Sequence, residues 1–247
     1  MMRGFVGLAG QDCPLLGENA VATVPAMSSP RVPARIVDPR TRGGIERGWI
    51  IIAALVVALV EAIATLLPNQ LDAGVLALVR VTARTSVVWF VLAFAAAPLV
   101  ALWPTPASKY LLRNRRYLGL AMAVSHGLHL IGILLLAARF GSAFWSAIAP
   151  TTLIGGGLGY VLLAAMVATS SDRAVVWLGR RRWRTLHLTG MWFFWSIFTF
   201  TYVGQLGRTV TADVIVAVMF GLAALRGAAL AHRITRRSVA RHTTGSR

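Results

Sequence analysis

Six apolar runs dominate the chain from residue 49 onward, at 49–67, 86–103, 117–138, 148–168, 186–203 and 211–231. Each is about 18–22 residues long, enough for a helix rising 1.5 Å per residue to cross roughly 30 Å of hydrocarbon. A single segment in lipid has to satisfy its own backbone hydrogen bonds, so runs of this length predict helices. Pro68, Pro104 with Pro106, and Pro150 mark run ends, while Pro98 inside the second run predicts a kink. Residues 1–47 are rich in Pro, Gly, Ser and Arg, lack periodicity and read as a disordered tail. Within that tail Met27 is an alternative start, because MSSPRVPAR opens well as a cytoplasmic segment. The pattern predicts an all-α, six-helix transmembrane bundle over residues 48–232, followed by a basic tail at 233–247.

Composition sharpens this picture. Hydrophobic residues make up 57% of the chain and charged ones 13%, with a mean hydropathy of +0.68. A soluble domain carries roughly 45–50% and 25%. The net charge of +17 does not indicate nucleic-acid binding, because the arginines cluster at run ends and build no basic face. The first tail holds Arg3, Arg31, Arg35, Arg40, Arg42 and Arg47. The loop between runs two and three holds Lys109, Arg113, Arg115 and Arg116. The loop between runs four and five holds Arg173, Arg180, Arg181, Arg182 and Arg184. The last tail holds Arg233, Arg236, Arg237, Arg241 and Arg247. The intervening loops hold only Arg80, Arg84, Arg139 and Arg208. Twenty basic residues against four place both termini in the cytoplasm and the chain in a bacterial inner membrane as a multi-pass protein. Cys13 is the only cysteine, which excludes an internal disulfide, a CxxC redox pair and a cysteine-held iron–sulfur cluster.

Chemistry inside the bilayer falls to a few residues. His126 and His129 lie in the third run and His187 opens the fifth. Intramembrane ionisable groups are costly and face a bundle interior or a cofactor, and imidazole is the usual protein ligand of haem iron. Each histidine also has a plain reading as a satisfied core or interfacial residue. Glu61 lies at a depth similar to that of His129, where it could accept a proton from His126 or His129, carry one itself, or stand near the outer interface. Arg226 is expected to snorkel to the cytoplasmic headgroups. Gly155 and Gly159 form a small-xxx-small pattern expected to pack helices closely. Trp103, Trp145, Trp177 and Trp183 are expected as interfacial anchors. Trp192 and Trp195 are expected in the core.

Two stretches carry a resemblance. Residues 115–130 read RRYLGLAMAVSHGLHL and residues 169–187 read TSSDRAVVWLGRRRWRTLH. With the apolar-Pro end of the second run, they resemble the ferric reductase-like transmembrane domain. The resemblance is closest to the membrane haem subunit of the bacterial methionine sulfoxide reductase system (the MsrQ/YedZ group). Arg115, Arg116, Leu118, Gly119, Leu128 and His129 match one signature of that group. Thr169, Ser170, Leu178, Gly179, Trp183, Leu186 and His187 match the other, with one extra residue in the arginine run.

The resemblance covers about residues 45–230. It implies haem b, axial ligation at His129 and His187 with His126 as a further candidate, and electron transfer across the membrane. It also implies a periplasmic acceptor protein. The chain has no GxGxxG in a βαβ context, so a separate flavin or quinone donor is expected, the bilayer being the remaining partner.

The sequence departs from the family where a second histidine of the fifth helix is expected: Phe200 stands there. His129 lies about 12 residues into its run, roughly 18 Å deep, whereas His187 lies at the cytoplasmic edge. Straight helices with that offset cannot bring both histidines to one iron. Three arrangements stay open: a haem on His129 alone or with His126, a haem near the inner face between His187 and His232, or a haem-free, non-catalytic relative on the same scaffold. A small transporter resting on Glu61, Thr199 and Thr201 ranks last, because no inverted repeat is present.

Overall fold

The computed structural model describes residues 39–244 apart from Asn69, and among these it contains helices and no strand. The readings of residues 1–38, with Cys13 and Met27, fall outside the described residues. Eight helices follow in order: α1 (Pro39–Leu66), α2 (Leu71–Leu102), α3 (Pro106–Phe140), α4 (Ser142–Ala147), α5 (Pro150–Ala168), α6 (Asp172–Leu178), α7 (Arg180–Val203) and α8 (Val210–Thr244). Five contain a stretch long and apolar enough to cross a membrane: Trp49–Leu66, Leu71–Leu102, Pro106–Phe140, Pro150–Ala168 and Val210–Arg236. The chain is a multi-pass membrane protein. The predicted fifth span corresponds to α7, a helix of 24 residues. Its tryptophans, threonines and histidine make it less apolar than the other five.

The helices run further than the apolar pattern indicated. Residues 39–47, read as tail, are the start of α1, and residues 233–244, read as a second tail, continue α8. That last stretch has neither Pro nor Gly to stop a helix, and its arginines are good helix formers. Arg80 and Arg84 belong to α2 and not to a loop, while Lys109 to Arg116 occupy the first turns of α3. α2 has 32 residues and α3 has 35. At 1.5 Å per residue these are about 48 and 52 Å long, so their ends project beyond roughly 30 Å of hydrocarbon. Hydropathy reports the part in lipid, not the length of the helix. Pro98 sits inside α2, which continues past it to Leu102.

Local chemistry sets the helix ends. Pro106 and Pro150 open α3 and α5, where a missing N–H costs nothing. The Thr105 hydroxyl accepts from the Ser108 amide, and Ser171 accepts from the Ala174 amide to cap α6. Gly141 (φ 54°) and Gly179 (φ 78°) take the left-handed turns between α3 and α4 and between α6 and α7.

The core is built from α2, α7 and α8, joined by Leu118 and Met122 of α3. Phe90, Phe94, Phe194 and Met219 are fully buried there. The Phe90 ring stands 5.1 Å from Phe94 and 5.3 Å from Phe198. Lipid is as apolar as these side chains, so close packing and dispersion hold the helices together more than transfer from water. α2 and α3 form the most extensive pair. A Cβ at Gly132 would come within 2.6 Å of Val79 Cγ2, so the glycine permits their close approach. Arg116–Asp172 (3.0 Å) ties α3 to α6, and Arg139–Asp72 (3.2 Å) ties the far end of α3 to α2.

Candidate functional site: a histidine pair beside a membrane cavity

His126 and His129 are three residues apart on α3 and therefore share a face. α2 orients both. The Nδ1 of His129 lies 2.8 Å from the carbonyl of Val79. A carbonyl only accepts, so Nδ1 carries the proton. The Nδ1 of His126 lies 3.1 Å from Ser86 Oγ, whose own proton goes to the carbonyl of Ala83 at 2.7 Å. Ser86 thus accepts, and His126 donates from Nδ1. Both imidazoles present a bare Nε2 lone pair, which is the form that binds a metal. Their rings stack at 5.2 Å, and Tyr160 of α5 also stacks on His126, at 5.1 Å. Phe194 and Phe198 meet His126 edge-on.

The pair lines a cavity of about 800 Å³ between α3, α4, α5 and α7. Its wall includes Tyr160, Phe198, Tyr202 and Trp145, together with Gly155, Gly156 and Gly157. At Gly156 and Gly157 a Cβ would meet nothing within 4 Å, so side chains there would project into open space. Gly159, one turn on, packs against Phe193, Phe194 and Ile197. The glycine-rich stretch therefore serves both helix packing and the cavity wall. Phe200 also lines the cavity. A flat aromatic ligand fits this space in volume and in the apolar character of the walls. Iron in that ligand could take one axial nitrogen from α3. The two imidazoles come from one helix face, so they cannot hold the iron from opposite sides.

His187 is held elsewhere and in the other tautomer. Its Nε2 lies 3.1 Å from Thr169 Oγ1, and Thr169 donates its proton to the carbonyl of Ala165 at 2.7 Å. His187 therefore donates from Nε2. Its ring stacks on Trp183 at 4.3 Å, and the Trp183 indole donates to the carbonyl of Thr169 at 2.9 Å. His187 is not among the residues lining the cavity. Trp183, expected as an interfacial anchor, is part of this clamp between α5 and α7. No ring contact or hydrogen bond among the described residues joins His187 to His232.

Other expectations resolve differently. Arg226 does not reach outward: its guanidinium lies 3.6 Å from the centre of the Phe94 ring and donates to the Phe94 carbonyl at 3.1 Å. Trp195 donates to the carbonyl of Met219 at 2.9 Å and packs against the core, whereas Trp192, also expected in the core, is exposed and touches Phe94 only edge-on. Trp103, Trp145 and Trp177 are exposed, as membrane-belt residues are. Glu61 accepts a hydrogen bond from Thr85 of α2. The residues that spacing alone missed are Val79, Ser86 and Tyr160. The signal for Ser86 was a hydroxyl inside an apolar run, and for Val79 there was none, because a backbone carbonyl leaves no mark in sequence.

Residues 81–198 match the family model described as ferric reductase like transmembrane component. The matched stretch is just under half of the chain. It contains His126, His129, Tyr160 and His187 and ends just before Phe200. No curated protein and no solved structure shows a significant match.

Proposed function

We propose that this chain is a haem b-binding, electron-transfer subunit of ferric reductase-like type, spanning the inner membrane of a bacterium six times with both termini in the cytoplasm. The observation that carries the reading is the pair of imidazoles whose Nδ1 protons are fixed by α2 and whose Nε2 atoms are free beside an apolar cavity. The alternation of arginines supports the six-span topology, in which α7 is the span added to the five apolar ones.

His129 is the axial ligand in this reading. Val79 fixes its tautomer and ring direction, His126 stacks beside it, and Phe200 stands where a second ligand would come from α7. The haem, when bound, supplies a one-electron carrier. The protein would hold it with His129 and wall it with Tyr160 and Phe198, which line the cavity. Electrons enter from a separate flavin or quinone donor on the cytoplasmic side and leave to a periplasmic acceptor protein. His187 has a structural role in closing α7 onto α5.

The alternative is a haem-free assembly or structural subunit on the same scaffold, favoured by Phe200. The test is a dithionite-reduced minus oxidised spectrum of protein purified from haem-sufficient cells. Soret and α bands that disappear in His129→Ala support the haem reading. Absence of both bands in the wild type selects the alternative.

A further inference from the structure

Leu118 of α3 and Leu222 of α8 are both buried in the core. One turn from each, on the same helix face, stands an arginine: Arg115, three residues before Leu118, and Arg226, four residues after Leu222. Arg115 lies within electrostatic range of Arg226, so the two steps lead to the same level of the bundle. Both arginines are partly buried and belong to stretches apolar enough to cross a membrane.

The Arg226 guanidinium covers the Phe94 ring at 3.6 Å and lies 5.6 Å from the centre of the Trp192 ring. Its Nη2 donates to the Phe94 carbonyl at 3.1 Å, and its Nε has no hydrogen-bond partner among the described residues. The ion pairs among the described residues include neither arginine. A guanidinium keeps its charge in a protein. Two of them at this level repel each other and call for an anion, because water is scarce there to screen them. The described acids are engaged elsewhere. Asp172 pairs with Arg116 and Asp72 with Arg139, while Asp213 accepts from the Gly207 amide and Glu61 from the Thr85 hydroxyl.

The approach to the pair is apolar. Trp192, the ring beside Arg226, is exposed, and so is Leu188 one turn before it on α7. On α8, Leu230 and Ile234 follow Arg226 at four-residue spacing and are exposed as well. α7 packs against α8. These side chains continue the Trp192 face of one helix and the Arg226 face of the other as surface on which an acyl chain can lie. Exposed Arg184 and Arg233, a turn beyond Leu188 and beside Ile234, add positive charge at the same end. An anion that carries its own hydrocarbon suits this surroundings better than one arriving from water.

We propose that Arg115 and Arg226 form a binding site for the phosphate of an anionic phospholipid, whose acyl chains lie along Leu188 and Trp192 of α7 and Leu230 and Ile234 of α8. The phosphate oxygens accept from the two guanidinium groups, and Arg226 keeps its bond to Phe94. A phosphate in this position joins α3 to α8, which the protein's own ion pairs do not. On the topology proposed above the lipid belongs to the inner leaflet. The site is independent of the haem reading.

The test is native mass spectrometry of the full chain, stripped of lipid in detergent and titrated with phosphatidylglycerol, phosphatidylcholine or inorganic phosphate. The expected result is one phosphatidylglycerol per chain, bound more tightly than phosphatidylcholine. Its affinity is expected to fall about tenfold in Arg115→Gln and in Arg226→Gln, the usual effect of losing one charged hydrogen bond. Arg116→Gln, which breaks the pair with Asp172, is expected to bind as the wild type does. Arg226 also holds Phe94, so if its variant fails to fold, Arg115→Gln decides. Equal affinity for the two lipids, unchanged affinity in Arg115→Gln, or an equal loss in Arg116→Gln overturns the proposal. Displacement of the lipid by millimolar inorganic phosphate overturns the lipid assignment and gives the site to a water-soluble phosphate compound.

Discussion

An imidazole becomes a metal ligand only when one ring nitrogen is free and the other holds the ring still. Two hydrogen bonds from α2 do this for His126 and His129, and the hydroxyl of Thr169, the residue that caps the end of α5, does the reverse for His187. Ser86→Ala is expected to retain the fold and to weaken haem retention less than His129→Ala does, because Ser86 orients the stacked His126 and not the ligand; haem transfer to an apo-globin acceptor measures it. Phe200→His is expected to add the missing second ligand. Wild-type reduced protein then binds carbon monoxide and the variant does not, and a wild type that fails to bind it would contradict the vacant axial position. These residue-level features were only partly legible in the chain. The histidines and Phe200 stood out, because ionisable groups inside an apolar run are rare. Their tautomers did not, because these depend on a carbonyl and a hydroxyl more than 35 residues away.

At the scale of elements, α2 is the organising helix. It presents Val79 and Ser86 to α3, Thr85 to α1, and Phe90 and Phe94 to the core. Its fit against α3 depends on Gly132 meeting Val79. Gly132→Val is expected to force the two helices apart and to cost about 1–3 kcal/mol of stability, the usual range for overpacking. It should also loosen the Val79 hold on His129; thermal melting in detergent and the haem band measure the two effects. The clamp between α5 and α7 explains the other family-like stretch: Thr169, Gly179, Trp183 and His187 form a turn with a stacked ring pair. His187→Ala is expected to lower the melting temperature while leaving the haem band in place. Helix existence was readable from apolar runs, but helix length was not. The first turns of α3 and the last turns of α8 are basic, and their few apolar residues are too interrupted by charge to mark them as part of a membrane run.

For the whole molecule, the proposed six-span topology takes its direction from the arginine alternation. Arg116–Asp172 closes one end of the bundle and Arg139–Asp72 the other. With Cys13 replaced by serine, a cysteine at Arg182 is expected to react with impermeant thiol reagents only after the cells are opened, and one at Arg208 to react in intact cells. The reverse pattern would invert the topology. On the proposed topology the His126/His129 cavity would lie in the outer half of the membrane, where an electron handed on would leave to the outer side. The measurement that bears most directly on this account is the reduced minus oxidised spectrum of wild type, His129→Ala and His187→Ala. The account predicts Soret and α bands in the wild type and in His187→Ala, and their loss in His129→Ala. A wild type without bands, or bands that survive His129→Ala and vanish in His187→Ala, would contradict it.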